Sequence, residues 1–99
     1  MIPDVAVPLV SIIIPNYNAA RHLEVCLQSL RRQSYENVEI IVVDNGSQDD
    51  SAAAVTRFAP SAVLLRQEKN LGFAAAVNLG IAAARGSWIA VLNNDTEAA

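Results

Sequence analysis

The segment Asn93-Asn94-Asp95 follows directly on an apolar run, Trp88 to Leu92. A carboxylate presented beyond a buried strand can hold a divalent cation such as Mg²⁺ or Mn²⁺, with phosphate oxygens completing the shell. The cation would neutralise charge building on a departing diphosphate. The plainer reading of Asp95 is a loop aspartate after two asparagines. Three other clusters share this polar character: Asn16-Tyr17-Asn18, Asp44-Asn45-Gly46-Ser47 and Lys69-Asn70-Leu71-Gly72.

Each cluster has a structural and a chemical reading. Asp44 before Asn45-Gly46 is either an Asx-type turn or a carboxylate that accepts hydrogen bonds from a nucleobase imide or a ribose hydroxyl. Tyr17 is either a core residue or a platform on which a base stacks while its hydroxyl stays at a wet rim. Pro15 restricts the residue before it to extended geometry. Asn16 and Asn18 then cap a helix, touch a ligand, or do both. Asn70 and Gly72 precede a helix whose N-terminal amides could receive an anion. Asn78 lies further along that helix, off its apolar stripe, as a solvated residue or one reaching toward a ligand.

These clusters need elements to position them. Leu9 to Ile14 is an apolar, β-branched run, with Ser11 inside it, of the kind buried on both faces of a parallel sheet. A helix follows from about Ala19 to Gln33, with Leu23, Cys26, Leu27 and Leu30 at helical spacing and Asn18 as its N-cap. Val38 to Val43 forms a second strand. Ser47 and Asp50 resemble a capping box for a helix that reaches about Phe58 and stops at Pro60. Ala62 to Leu65 is a short third strand near an edge. A third helix runs to about Arg85, with Phe73, Val77, Ile81 and Ala84 as its apolar stripe and Gly86 as a left-handed terminator. Trp88 to Leu92 is the fourth strand.

Strict alternation of strands and helices implies a mostly parallel sheet with right-handed crossovers. Ligands of such sheets bind beyond the carboxyl ends of the strands, where strand order reverses. All four polar clusters follow strands, whereas the segments feeding the strands are ordinary turn material. That asymmetry favours a ligand site over a purely structural module.

Composition narrows the classes further. The chain has 99 residues, 53% of them hydrophobic, which suits one small globular domain. A formal net charge of −3 argues against a nucleic-acid partner. Arg31-Arg32 better complements a helix C-terminus than a phosphate. The single cysteine, Cys26, excludes an intrachain disulfide and falls on an apolar helix face, and His22 falls on the polar side of the same helix. The apolar run from Val5 to Ile14 is too short to span a membrane, and Met1-Ile2-Pro3-Asp4 lacks the basic region of a signal peptide. A cytoplasmic location, at the inner face of the membrane, is the expectation. No GxGxxG follows the first strand and no GxxxxGK[ST] occurs, so dinucleotide oxidoreductases and P-loop NTPases fit poorly.

An ordered set of motifs carries a resemblance. Val10-Ser11-Ile12-Ile13-Ile14-Pro15-Asn16-Tyr17-Asn18, Leu27-Gln28-Ser29-Leu30, Gln33-Ser34-Tyr35 and Glu39-Ile40-Ile41-Val42-Val43-Asp44-Asn45-Gly46-Ser47 come first. Asn70-Leu71-Gly72-Phe73-Ala74, Asn78-Leu79-Gly80 and Leu92-Asn93-Asn94-Asp95-Thr96 follow. Together they resemble the N-terminal, nucleotide-binding half of a family 2 glycosyltransferase with the GT-A fold. The likeness covers the chain from about Leu9 to Thr96.

The resemblance implies a Rossmann-like three-layer α/β sheet with four parallel strands in the order 3-2-1-4. It implies inverting transfer of a sugar from a nucleoside diphosphate sugar to an acceptor hydroxyl on a glycan or lipid-linked acceptor. Pro15, Asn16, Tyr17, Asn18, Asp44 and Asn45 would bind the nucleoside; Asn70, Gly72, Asn78, Asn93 and Asn94 would line the site; Asp95 would hold the Mg or Mn cation. Asn93 stands where the family's Asp-x-Asp motif has its first aspartate. The Asn-Asn-Asp form resembles a rhamnosyltransferase-like branch and hints at a dTDP- or UDP-linked donor. Family members carry a second half with the acceptor site and the general base, so residues 1–99 are expected to be an incomplete domain, inactive alone. The fourth strand would then be an open apolar edge, which implies a homo-oligomer. The rival class is a non-catalytic nucleotide- or partner-binding module of the same fold.

Overall fold

The computed structural model describes residues 8–93. Seven elements alternate along them: β1 (Val10–Asn16), α1 (Ala20–Arg31), β2 (Val38–Asp44), α2 (Ser51–Phe58), β3 (Val63–Arg66), α3 (Phe73–Ala83) and β4 (Trp88–Val91). The strands pair in parallel in the order β3-β2-β1-β4, the expected α/β, Rossmann-like arrangement.

Residues 12–14 of β1 and 40–43 of β2 are continuously apolar because both faces of these strands are covered. Successive side chains point to opposite faces, and the register sets Ile13 beside Ile41 and Ile14 beside Val42. Ile14 and Val42 pack against Leu23, Cys26 and Leu27 of α1 and Val55 of α2. Ile13, Ile41 and Val43 pack against Ala76 of α3. Burying each such aliphatic side chain contributes about 1.5–3 kcal/mol relative to exposure. Cys26 is a free, buried thiol, and burial pushes its pKa up to about 11.

The helix starts differ from expectation. Asn18 makes no N-cap bond: it sits in the left-handed region at φ 47°, and its Oδ1 accepts the Gln48 N–H at 2.8 Å. No capping box forms at Ser47 and Asp50 either. Asp49 serves both helices. One oxygen accepts the Ala20 N–H of α1 at 3.1 Å, and the other accepts the Ser51 N–H of α2 at 3.0 Å.

α3 is also turned from its expected face. Ala76 and Gly80 point into the sheet, whereas Phe73 and Ile81 are 60% and 43% exposed. The helix is apolar nearly all round, so spacing marks no unique face, and closeness of approach decides instead. A Cβ on Gly80 would stand 2.5 Å from Ile13 Cγ2, so a glycine lets α3 lie against β1. Gly86 adopts no positive φ and does not terminate α3 in the expected way.

β4 lies at one edge of the sheet with Trp88 66%, Ile89 45% and Val91 43% exposed. Beside it, on the α1 face, runs an apolar groove of about 330 Å³ that includes Val10, Ile12, Leu30, Ala90 and Leu92. Among the described residues no helix is long and apolar enough to cross a membrane.

Candidate functional site at the carboxyl edge of the sheet

α1 and α2 cover one face of the sheet and α3 covers the other. Strand order therefore reverses between β1 and β4, which leaves a crevice between the diverging connections at their carboxyl ends. An open pocket of about 230 Å³ occupies that position, lined by Pro15, Asn16, Tyr17, Asn45, Asn70, Phe73 and Asn93. Four segments distant in sequence meet there.

The wall is built outward from β1 and β2. Asn16 is 2% exposed, and its Nδ2 donates to Asp44 Oδ1 at 3.0 Å. The Asn45 N–H donates to the Asn16 carbonyl at 2.8 Å, which extends the pairing of the two strands by one residue. Ser47 donates its hydroxyl to Asp44 Oδ1 at 2.5 Å and its N–H to Oδ2 at 3.2 Å. Asp44 is 1% exposed and does not line the pocket. Such burial of a carboxylate is tolerable because protein donors replace water. Arg66 Nε stands 3.9 Å from Asp44 Oδ2, but its side chain is 58% exposed, so the pair adds little.

The turn after β2 packs on the loop before α3. Gly46 has φ +83°, and a Cβ there would lie 2.8 Å from Lys69 Cα, so glycine is needed for both conformation and contact. Asn45 Nδ2 donates to the Gly72 carbonyl at 3.2 Å, and Asn70 Oδ1 accepts the Gly72 N–H at 2.8 Å. These bonds bring Asn70 and the start of α3 to the crevice. Tyr17 is 48% exposed and Phe73 60%, and two aromatic rings with open faces suit a planar partner.

Several expected site residues stand elsewhere. Asn18 is exposed and Gly72 sits at the N-cap of α3, neither lining the pocket. Asn78 is exposed on α3 and is not brought to the pocket either. Asn94 and Asp95 lie outside the described residues, which hold no group of three His, Cys, Asp or Glu able to bind a metal. Phe73, expected in the core, lines the pocket instead. Asp49 was not singled out by sequence. Its bond to Ser51 is a local signal, whereas its bond to Ala20 spans 29 residues and leaves none. Burial pushes the Asp49 carboxyl up, yet hydrogen bonds from Ser51 and Ala20 outweigh that and hold it below its ordinary value.

Fold and crevice together define a doubly wound α/β protein with its ligand position at the reversal of strand order. Residues 11–99 match the model of glycosyl transferase family 2, and the chain belongs to that family. It is 37% identical to glycosyltransferase GlyG of Streptococcus pneumoniae over 90 residues, 88% of this chain and 30% of that protein. It is 40% identical to the uncharacterized glycosyltransferase EpsJ of Bacillus subtilis over 91 residues, 90% of this chain and 26% of that one. In structure it is similar to the mannosyltransferase PcManGT from Pyrobaculum calidifontis in complex with GDP-Man and Mn²⁺. That match has TM-score 0.84 and 31% identity, and covers 92% of this chain and 28% of that one. The chain thus spans less than a third of each of these three proteins.

Proposed function

We propose that this chain is the donor-binding portion of an inverting glycosyltransferase. The enzyme would move a sugar from a nucleoside diphosphate sugar to an acceptor hydroxyl in glycan or cell-envelope polysaccharide synthesis. The observation that carries this reading is the convergence of Asn16, Tyr17, Asn45, Asn70, Phe73 and Asn93 on one open pocket where strand order reverses. Family membership and the GDP-Man complex of PcManGT support it.

In this reading Tyr17 and Phe73 offer their faces to the base, and Pro15 and Asn16 frame the nucleoside. Asp44 stands behind that wall: it aims the Asn16 amide and meets the base itself only where Ser47 turns away. Asn45 and Asn70 face the ribose and diphosphate. Asn93, Asn94 and Asp95 supply oxygen donors of the hardness that Mg²⁺ or Mn²⁺ prefers. Asp95 would hold the cation, which stabilises charge on the leaving diphosphate. In the family's scheme the general base belongs to the acceptor-binding half, so no carboxylate of this chain takes that role. A glycan or lipid-linked acceptor assembled at the inner face of the membrane fits the same scheme, with the enzyme in the cytoplasm.

Titration calorimetry of UDP, dTDP and GDP, with and without Mn²⁺, tests the proposal. The expected result is binding of at least one nucleotide that Mn²⁺ strengthens, that Asp95→Ala uncouples from the metal, and that Tyr17→Ala weakens. Failure of all three nucleotides to bind would favour a partner-binding module of the same fold.

A further inference from the structure

β4 carries no pattern that sets its own register. Trp88, Ile89, Ala90 and Val91 are all apolar and all exposed. A strand with one face buried resists a one-residue slip, because the slip would turn its apolar set outward. Within Trp88–Val91 β4 has no such restraint, Leu92 beyond its end being the residue that packs against the core, yet it holds one register, Val10 beside Trp88 through Ile13 beside Val91. The Leu92 N–H then meets the Ile13 carbonyl at 2.9 Å, and Asn93 reaches the pocket. A slip of one residue would turn Asn93 to the opposite face of the sheet.

A polar restraint lies at the amino end of the strand. Ser11, fully buried, donates its hydroxyl to Glu39 Oε2 at 2.5 Å and accepts the Gly86 N–H at 2.8 Å. The same Oε2 accepts the Arg85 N–H at 2.6 Å, and Oε1 accepts Arg85 Nε at 3.3 Å. A Cβ on Gly86 would meet Ser11 Oγ at 2.6 Å and the Leu9 carbonyl oxygen at 2.7 Å. A slip in either direction would bring Arg85 or Ser87, each with a Cβ, into that space.

We propose that Ser11, Glu39 and Gly86 form a register key for β4, and that Glu39 is thereby a positioning residue for the Asn93 end of the site. The seven residue steps from Gly86 to Asn93 put the two ends roughly 23 Å apart. The functional half of this inference rests on the donor-binding reading; the register half does not.

The test uses the isotope-labelled 99-residue chain as wild type, Glu39→Ala, Glu39→Gln and Gly86→Ala. Cross-strand NOEs between β1 and β4 report register, and amide exchange of Leu92 reports its strength. Wild type should show the single register above. Glu39→Ala and Gly86→Ala should add a second register or speed Leu92 exchange about tenfold or more, with Ile41 and Val43 exchange unchanged. Glu39→Gln, which keeps one acceptor oxygen, should fall between. Nucleotide affinity should drop in the same order. Native register with unchanged Leu92 exchange in Glu39→Ala overturns the key, as does equal loss of protection at Ile41 and Val43. If Gly86→Ala does not fold, Glu39→Ala decides. A wild type that binds no nucleotide refutes the donor-binding reading and leaves the register result standing.

Discussion

Asn16 Nδ2 donates to Asp44 Oδ1 at 3.0 Å and so ties together the carboxyl ends of the two central strands. Asn16 lines the pocket and Asp44 does not, so the carboxylate acts on that surface through the amide it holds. Asp44→Ala would remove the buried acceptor of the Ser47 hydroxyl and leave Asn16 Nδ2 with its longer 3.4 Å bond to Ser47 Oγ. We expect a loss of about 1–3 kcal/mol, read as a lower urea midpoint. Nucleotide affinity should fall further than in Ser47→Ala, which leaves Asn16 held.

Gly80→Ala sets a helix-propensity gain of about 1 kcal/mol against overpacking of about 1–3 kcal/mol. Ile13 is fully buried and cannot withdraw from a Cβ 2.5 Å away, so the net effect should be destabilising. Gly80→Leu should be worse. Thermal unfolding of the three proteins checks the order, and a rise in melting temperature for Gly80→Ala would count against the close contact.

Two carboxyls should shape the acid limb of stability. The Ser11 hydroxyl, with the Arg85 N–H and guanidinium, holds the Glu39 carboxyl below its ordinary value, and Asp49 is held down by Ser51 and Ala20 against its burial. A group whose folded pKa is depressed stabilises above its unfolded pKa, roughly 4, and that contribution is lost as pH falls through the folded value. Urea midpoints should therefore drop on acidification below about pH 4, and Glu39→Gln or Asp49→Asn should flatten the drop.

The Cys26 thiol, buried and pushed up to about 11, should resist aromatic disulfide reagents in the native state at pH 8. It should react at once in denaturant. Prompt native reaction would mean that α1 opens readily from the sheet.

An apolar edge strand is a template for pairing. With Trp88, Ile89 and Val91 exposed on β4, the 99-residue chain should self-associate as concentration rises. Sedimentation velocity across a concentration series checks this, with Ile89→Lys expected to shift the chain to monomer. A monomer throughout would refute pairing through β4.

Much of this architecture is legible in local sequence pattern. The aliphatic stretches at residues 12–14 and 40–43 mark strands covered on both faces, and the spacing of Leu23, Cys26 and Leu27 marks the buried side of α1. Parallel topology sends every strand's carboxyl end to one edge, so residues that follow strands must share that edge. This is why Asn16, Asn45, Asn70 and Asn93 could be grouped in advance and are found together.

Other features depended on distances between elements far apart in the chain. Periodicity misplaced the face of α3 because an all-apolar helix has no unique stripe; the Gly80 contact with Ile13 turned it and put Phe73 at the pocket. Asn18 looked like a cap, but Asp49 reaches α1 from across the fold. Asp44 looked open to a ligand, but Ser47 and Asn16 enclose it. The order of elements, the parallel sheet and the edge that carries the polar residues follow from local pattern and chain handedness alone. Which residues meet there, and in what register β4 arrives, depend on close contacts across the sheet that no local spacing encodes.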